Sequence, residues 1–95
     1  MRIWAKTNLD HKILDEVVHE FSHARPSDIM GWTVVIDKLC QELDSDRPVI
    51  LQKHIRDLNT FGRTVFRKTD FIYTVEFDNL EIECFPENKE KLTTR

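Results

Sequence analysis

The segment His19–His23 has the residue types and spacing of a catalytic zinc site. Its sequence, HEFSH, matches the pattern H-E-x-x-H, in which two histidines stand four positions apart. On a helix the two histidines would lie on one face, within about 6 Å of each other, and could share one Zn²⁺. Glu20 would act as general base on the metal-bound water, and Glu42 is the candidate third ligand. The pattern gives the hypothesis of a minimal zinc-dependent hydrolase, although Pro26 and Ile29 stand where one large zincin group has glycine and histidine.

The zinc hypothesis requires a helix, and the segment Lys12–Phe21 fits either a helix or a strand. As a helix it gathers its apolar residues on one side, which periodicity alone favours slightly. As a strand it has apolar residues on both faces, and a turn at residues 8–11 would pair it with a strand at Arg2–Lys6. An extended backbone would separate His19 from His23 by roughly 13 Å, which is too far for one metal ion.

Basic and acidic residues are kept apart in the C-terminal half of the chain. The basic set in residues 52–68 consists of Lys53, Arg56, Arg63, Arg67 and Lys68, and the acidic set that follows consists of Asp70, Glu76, Asp78, Glu81 and Glu83. The simpler interpretation is a pair of solvated faces with ion pairs between neighbouring strands, and the functional one is a docking surface for another protein. A basic segment can also contact phosphates, but the formal net charge of -3 argues against nucleic acid. We expect a protein contact that weakens with salt and when Arg63 and Arg67 are both changed to Glu.

The elements that position these residues are organised around one long helix. Between Ser27 and Leu43 the apolar residues recur at helical spacing and form one stripe, which consists of Ile29, Trp32, Val35, Ile36, Leu39, Cys40 and Leu43. Ser27 is predicted as the N-cap, because its hydroxyl can accept a bond from an unpaired backbone N–H of the first turn. Gly31 is unfavourable inside a helix and is predicted to mark the close approach of another backbone.

The remaining elements follow along the chain. Gln52–Phe61 is predicted as a second, shorter helix, with Gly62 at the left-handed position that often follows a helix. Arg63–Arg67 is predicted as a short strand. Apolar and polar residues then alternate in residues 74–78 and again in residues 80–84. The parity of the apolar positions changes between these two stretches, which predicts a tight turn or a bulge.

The opening RIWAK, the HKI after the turn, the PVIL run and the ending DF…FDNLEIEC are spread over most of the chain. Together they resemble short uncharacterised proteins of Gram-positive bacteria. The resemblance implies no activity, cofactor or site. It does imply that the stretch corresponding to Lys12–Phe21 is the second arm of a hairpin, and we therefore predict a strand there.

These observations predict an α+β fold. We expect an N-terminal β-hairpin, one long central helix, one short helix, and C-terminal strands that form a small antiparallel sheet with helices on one face. Residues 1–85 are predicted to form a single domain, and residues 86–95, PENKEKLTTR, a flexible tail.

The leading functional hypothesis is a small cytoplasmic, non-enzymatic module that binds another protein, without a cofactor. No apolar run approaches the roughly 20 residues needed to span a bilayer, and none has the features of a secretory signal. The two cysteines, Cys40 and Cys84, are predicted to be reduced and buried. A homo-oligomer could form through an edge strand at Leu80–Cys84 or near Trp4. The zinc hydrolase and a nucleic-acid-binding protein that uses residues 53–68 are the alternatives.

Overall fold

A computed structural model describes residues 1–85 as one four-stranded antiparallel sheet with two helices. The elements in chain order are β1 (Arg2–Leu9), β2 (Lys12–Glu20), α1 (Ile29–Glu42), α2 (Gln52–Phe61), β3 (Arg63–Arg67), a 3-10 turn (Lys68–Asp70) and β4 (Asn79–Cys84). The spatial order of the strands is β2-β1-β4-β3. This architecture confirms the predicted α+β fold. The predicted tail at residues 86–95 lies outside the described residues.

The core lies between the two helices and one face of the sheet. Alternate residues of the two central strands point to this face, where Ile3 pairs with Cys84 and Ala5 pairs with Ile82. Phe66 of β3 and the buried side of α1 complete a single cluster of buried apolar residues. The removal of this apolar surface from water is the main favourable term in folding.

The N-terminal hairpin confirms the strand prediction for the ambiguous segment. β1 and β2 are joined by Asp10 and His11, which have left-handed backbone angles with φ of 53° and 67°. Two left-handed residues in succession form a turn whose twist matches that of a two-stranded ribbon. The pairing shifts between Thr7 and Asn8, and Leu14 is the extra residue of this β-bulge.

α1 is the central core helix that its apolar stripe predicts, but two details of the prediction were wrong. The N-cap is Asp28 rather than Ser27, and its Oδ1 accepts the N–H of Gly31 at 2.9 Å. A carboxylate at this position also interacts favourably with the positive end of the helix dipole. The close approach at Gly31 is made by a side chain and not by another backbone. A Cβ atom at Gly31 would stand 2.7 Å from the Cβ of Pro26.

α2 and β3 form the predicted helix and strand, with the predicted bounds. Gly62 follows α2 with φ of 75°, the left-handed conformation that glycine adopts without strain. The chain reverses at this residue, so that β3 packs against α2 and buries Thr64 and Phe66.

The C-terminal part departs from the prediction at two points. Residues 74–78 alternate in burial, with Val75 and Phe77 buried, but their backbone is irregular rather than a strand. In addition, β4 is a central strand between β1 and β3. The prediction that Leu80–Cys84 is an edge strand available for a homo-oligomer is therefore wrong. The same holds for Trp4, because β1 is also a central strand. The free edges of the sheet are β2 and β3.

Candidate partner-binding site

The strand β2 places His19 and Glu20 of the HEFSH segment on opposite faces of the sheet. His19 points towards α1, where its Nδ1 lies 2.8 Å from Oε2 of Glu42. Glu20 points the other way, and its carboxylate lies 3.4 Å from both the Nε of Arg2 and the amino group of Met1. Successive side chains of a strand point to opposite faces, so Glu20 cannot serve as a base on an ion held by His19.

His23 lies beyond the end of β2 and is separated from His19 by an aromatic ring. Phe21 packs between them, with ring centroids 4.4 Å from His19 and 5.6 Å from His23. Of the residues in the zinc hypothesis, the structure brings only His19 and Glu42 together. Within residues 1–85, no three His, Cys, Asp or Glu side chains form a group that could hold a metal ion.

The five basic residues of the docking hypothesis lie around α2 and β3. They are Lys53 and Arg56 on α2, Arg63 and Arg67 on β3, and Lys68 in the turn that follows. Arg63 forms an ion pair with Glu81 on β4, which Lys6 also approaches at 3.7 Å. Such cross-strand pairing is what the simpler interpretation of the charge pattern predicts. The other four basic side chains have no carboxylate within ion-pair distance among residues 1–85.

Trp4 lies at the centre of the sheet face opposite the helices. The ring of Trp4 stacks on Phe85, with centroids 6.3 Å apart, and the Nζ of Lys6 lies 4.0 Å from the centre of the Trp4 ring. The indole N–H of Trp4 donates to Glu16 at 2.8 Å. Because Lys6 also lies 3.7 Å from Glu81, the centre of this face has little unpaired positive charge to offer to phosphate groups.

A cleft of about 470 Å³ opens between α2 and β3. Its charged lining consists of three basic residues and one acidic residue, which are Lys53, Arg63, Arg67 and Asp57. The Asp57 carboxylate is engaged by the hydroxyl of Thr64, which donates to it at 3.2 Å. Phe61 also lines the cleft, with 74% of its surface exposed. Excess positive charge beside an exposed aromatic ring is well suited to an acidic peptide that carries an apolar side chain.

His54 forms the inner wall of this cleft and is only 1% exposed. Its Nδ1 accepts the N–H of Leu51 at 3.0 Å, which caps α2, and its ring packs on Phe66 with centroids 4.2 Å apart. Burial lowers the pKa of His54, and the carboxylate of Asp70, 3.7 Å from Nε2, opposes this effect only in part. The proton of the neutral ring is therefore on Nε2, which has no hydrogen-bond partner among residues 1–85.

The role of His54 was not predicted from the sequence, although the sequence contains a signal for it. His54 is the third residue of α2, where a capping box places Glu or Gln so that the side chain accepts the N–H of the N-cap residue. A neutral imidazole nitrogen can accept the same bond. The position of His54 at the third residue of the helix therefore predicts a capping role better than its residue type does.

The outer edge of β3 borders the cleft and has three residues whose backbone groups point outwards. Cys84 donates its N–H to the carbonyl of Gly62, and Lys68 donates to the carbonyl of Asp78. The alternation of an antiparallel ladder then directs the backbone groups of Arg63, Val65 and Arg67 away from β4. The N–H of Arg67 is covered by Asp70, whose Oδ2 accepts it at 2.9 Å.

A second cleft, of about 500 Å³, lies on the other side of the molecule near β2. Its charged lining is entirely acidic and consists of Asp15, Asp44, Asp46 and Glu76. The two clefts therefore have opposite charge. Among residues 1–85, the buried side-chain atom without a hydrogen-bond partner is Nε2 of His54, which lines the cleft beside α2 and not this one.

Both cysteines are buried and unpaired with each other, as predicted. Burial raises the pKa of the Cys40 thiol to about 12, and it raises the pKa of the Cys84 thiol as well. Since the thiolate is the reactive form of cysteine, neither residue is suited to act as a nucleophile.

In comparisons with known proteins, no family model, no curated protein and no solved structure matches this chain. Within residues 1–85, no helix is both long enough and apolar enough to cross a membrane.

Proposed function

We propose that this chain is a non-enzymatic, cytoplasmic module that binds an acidic segment of another protein in the cleft between α2 and β3. The observation that carries the proposal is the composition of the cleft. It combines Lys53, Arg63 and Arg67 with an exposed aromatic ring at Phe61. Basic side chains would attract the carboxylates of the partner, and Phe61 would receive one of its apolar side chains.

The distribution of charge favours a protein partner over nucleic acid. The cleft between α2 and β3 is basic, whereas the cleft near β2 is acidic and the chain is negative overall. A nucleic acid would present a continuous line of phosphates, of which this small basic area could neutralise only a few. A short acidic peptide segment matches the size of the cleft better.

The chemistry of the ionisable groups supports a binding role rather than a catalytic one. His19 is engaged by Glu42, and the two cysteines are held as thiols. His54 is buried with one nitrogen committed to the cap of α2. Two unpaired thiols also suit a reducing compartment, which supports the cytoplasm as the location.

The proposal is tested with a fluorescein-labelled peptide in which glutamates flank a single phenylalanine. Fluorescence anisotropy measures its binding to the full chain, and the same peptide with Gln in place of Glu is the control. We expect the acidic peptide to bind and its affinity to fall steeply as salt is added, because exposed charges are screened. Equal affinity for the two peptides would rule out carboxylate recognition.

Charge reversal locates the binding site. Changing both Arg63 and Arg67 to Glu should weaken binding of the acidic peptide about tenfold or more. Lys53→Glu with Arg67→Glu should act in the same direction and leaves the Arg63–Glu81 pair intact. The matched control, Lys12→Glu with Lys38→Glu, changes the net charge equally but lies away from the cleft, so its effect should be small. An unchanged affinity in both cleft variants would contradict the proposal.

A further inference from the structure

The outer edge of β2 directs backbone groups into solvent. Phe21 donates its N–H to the carbonyl of Met1 at 2.7 Å, and this bond fixes the alternation of the ladder between β1 and β2. From Asp15 onwards, the odd-numbered residues of β2 direct their backbone groups towards β1, whereas those of Glu16, Val18 and Glu20 point outwards. The N–H of Glu16 is covered by Oδ1 of Asp15 at 2.9 Å. Within residues 1–85, the outward groups of Val18 and Glu20 have no backbone partner.

The side chains along this edge are also unusually apolar for a free strand. Ile13, Leu14 and Val18 are 47%, 53% and 54% exposed. Natural proteins usually protect a long edge strand with charges or proline, because its free backbone groups pair readily with another strand. β2 has some protection, namely its acidic residues and the bulge at Leu14. That bulge restricts regular pairing to the stretch Asp15–Glu20.

We propose that two copies of this chain associate by antiparallel pairing of β2 with β2, around a two-fold axis that passes through Val17. The two sheets then form one continuous sheet, with the helices of both copies on the same face. This surface is distinct from the cleft between α2 and β3, and the inference does not depend on the proposed function.

The charges along β2 exclude the three other registers centred between Asp15 and Val18. An axis at Asp15 or at Glu16 would place that acid directly opposite its own copy, which is unfavourable. An axis at Val18 would place Glu16 opposite Glu20. With the axis at Val17, no like charges face each other between residues 12 and 20.

The register at Val17 also creates favourable contacts. Asp15 faces His19 of the second copy, and Val17 faces itself. Glu16 faces Val18, and because both direct their backbone groups outwards, they exchange hydrogen bonds on each side of the axis. In the dimer the N–H of Glu16 donates to the carbonyl of Val18 in the second copy instead of to the carboxylate of Asp15. The Asp15 carboxylate is then available to His19 of the second copy. A single pair of strands is a small interface, so we expect a weak dimer that forms at high protein concentration.

Sedimentation velocity of the full chain, from micromolar to millimolar concentration, tests the dimer. Val18→Pro removes an outward N–H of β2 without removing a bond to β1, and it should abolish the dimer. Val65→Pro removes an outward N–H of β3 in the same way and should leave the dimer affinity within about twofold of the wild type. Loss of the dimer in Val18→Pro alone supports the proposal. A wild-type chain that stays monomeric, or a dimer that survives Val18→Pro, overturns it.

Two side-chain substitutions at Val18 provide a second test of the dimer, which remains valid if Val18→Pro disturbs the hairpin. Val18→Glu would place a glutamate opposite Glu16 of the second copy on both sides of the axis, and it should weaken the dimer about tenfold or more. Val18→Lys is equally polar but places opposite charges together, so the dimer should be kept or strengthened. Circular dichroism verifies that both variants are folded. Equal dimer affinities for Val18→Glu and Val18→Lys would overturn the register and the proposal with it.

Discussion

The two free edges of the sheet are stabilised in different ways. β2 has nine residues, all of them exposed or half-buried, and it is held mainly by its ladder with β1. β3 has five residues, and two of them, Thr64 and Phe66, are buried beneath α2. The clefts beside the edges also differ, since the one near β2 is acidic and the one beside β3 is basic.

This difference suggests why each edge suits a different kind of contact. β3 is fixed from both sides, by β4 and by α2, so it can form the rigid wall of a binding cleft whose side chains keep their positions. β2 has few tertiary contacts, so the strand itself is available for pairing. At each edge one aspartate covers one outward N–H. Asp15 of β2 covers that of Glu16, and Asp70 in the 3-10 turn covers that of Arg67 at the end of β3.

The largest expected effect comes from the part of β3 that belongs to the core. Phe66→Ala should lower the free energy of unfolding by about 3–5 kcal/mol, because a fully buried ring is lost and a cavity is left. Val18→Ala on β2 should change the free energy of unfolding by no more than about 0.5 kcal/mol. Urea denaturation, followed by circular dichroism, measures both.

A matched control separates burial from residue type. Phe61→Ala makes the same change as Phe66→Ala at a side chain that is 74% exposed, and its effect on stability should be small. If Val18→Ala were as destabilising as Phe66→Ala, burial would not distinguish the two edges of the sheet.

The contrast between the edges also explains which parts of the fold could be predicted from the sequence. α2 and β3 were predicted with the correct bounds, because their apolar spacing reflects burial and Gly62 marks the reversal of the chain. Lys12–Phe21 was ambiguous because neither face of an edge strand like β2 is well buried, so no period of two appears. Residues 74–78 produced the opposite error. Val75 and Phe77 are buried at alternate positions, as in a strand, but the backbone of this segment is irregular.

The candidate site was only partly predictable for a related reason. The segregation of basic and acidic residues is visible in the sequence, and three of the basic residues that it singles out, Lys53, Arg63 and Arg67, line the cleft. The sequence could not show that Glu81 would pair with Arg63, because this depends on the register of β3 against β4. The buried position of His54 likewise depends on the contact between α2 and Phe66.

A smaller effect is expected from the two aspartates that cover the edges. Asp70→Ala should lower the free energy of unfolding by about 1 kcal/mol, since the N–H of Arg67 loses its acceptor at the start of the 3-10 turn. Asp15→Ala exposes the N–H of Glu16 to water at an open edge, so its cost should stay within about 0.5 kcal/mol. Both are measured by urea denaturation at neutral pH. Equal costs would indicate that the two aspartates stabilise their edges to the same extent.

The smallest expected effect is a change in how the free energy of unfolding depends on pH. It comes from His54, which packs on Phe66 of β3. The pKa of His54 is lowered in the folded chain by burial, so below the ordinary value of 6.5 the unfolded chain takes up a proton that the folded chain resists. The contribution of His54 to stability is therefore fully present above pH 6.5 and is lost as the pH falls towards the lowered pKa. Protonation would also remove the acceptor for the N–H of Leu51.

His54→Gln isolates this contribution, because glutamine can accept the bond from Leu51 but does not titrate. We expect the variant to lose less stability than the wild type between neutral pH and pH 5, as measured by urea denaturation at each pH. His23→Gln, at an exposed position outside the sheet, should keep the pH dependence of the wild type. Parallel pH profiles for the wild type and His54→Gln would show that the buried side of the molecule does not respond to pH through this residue.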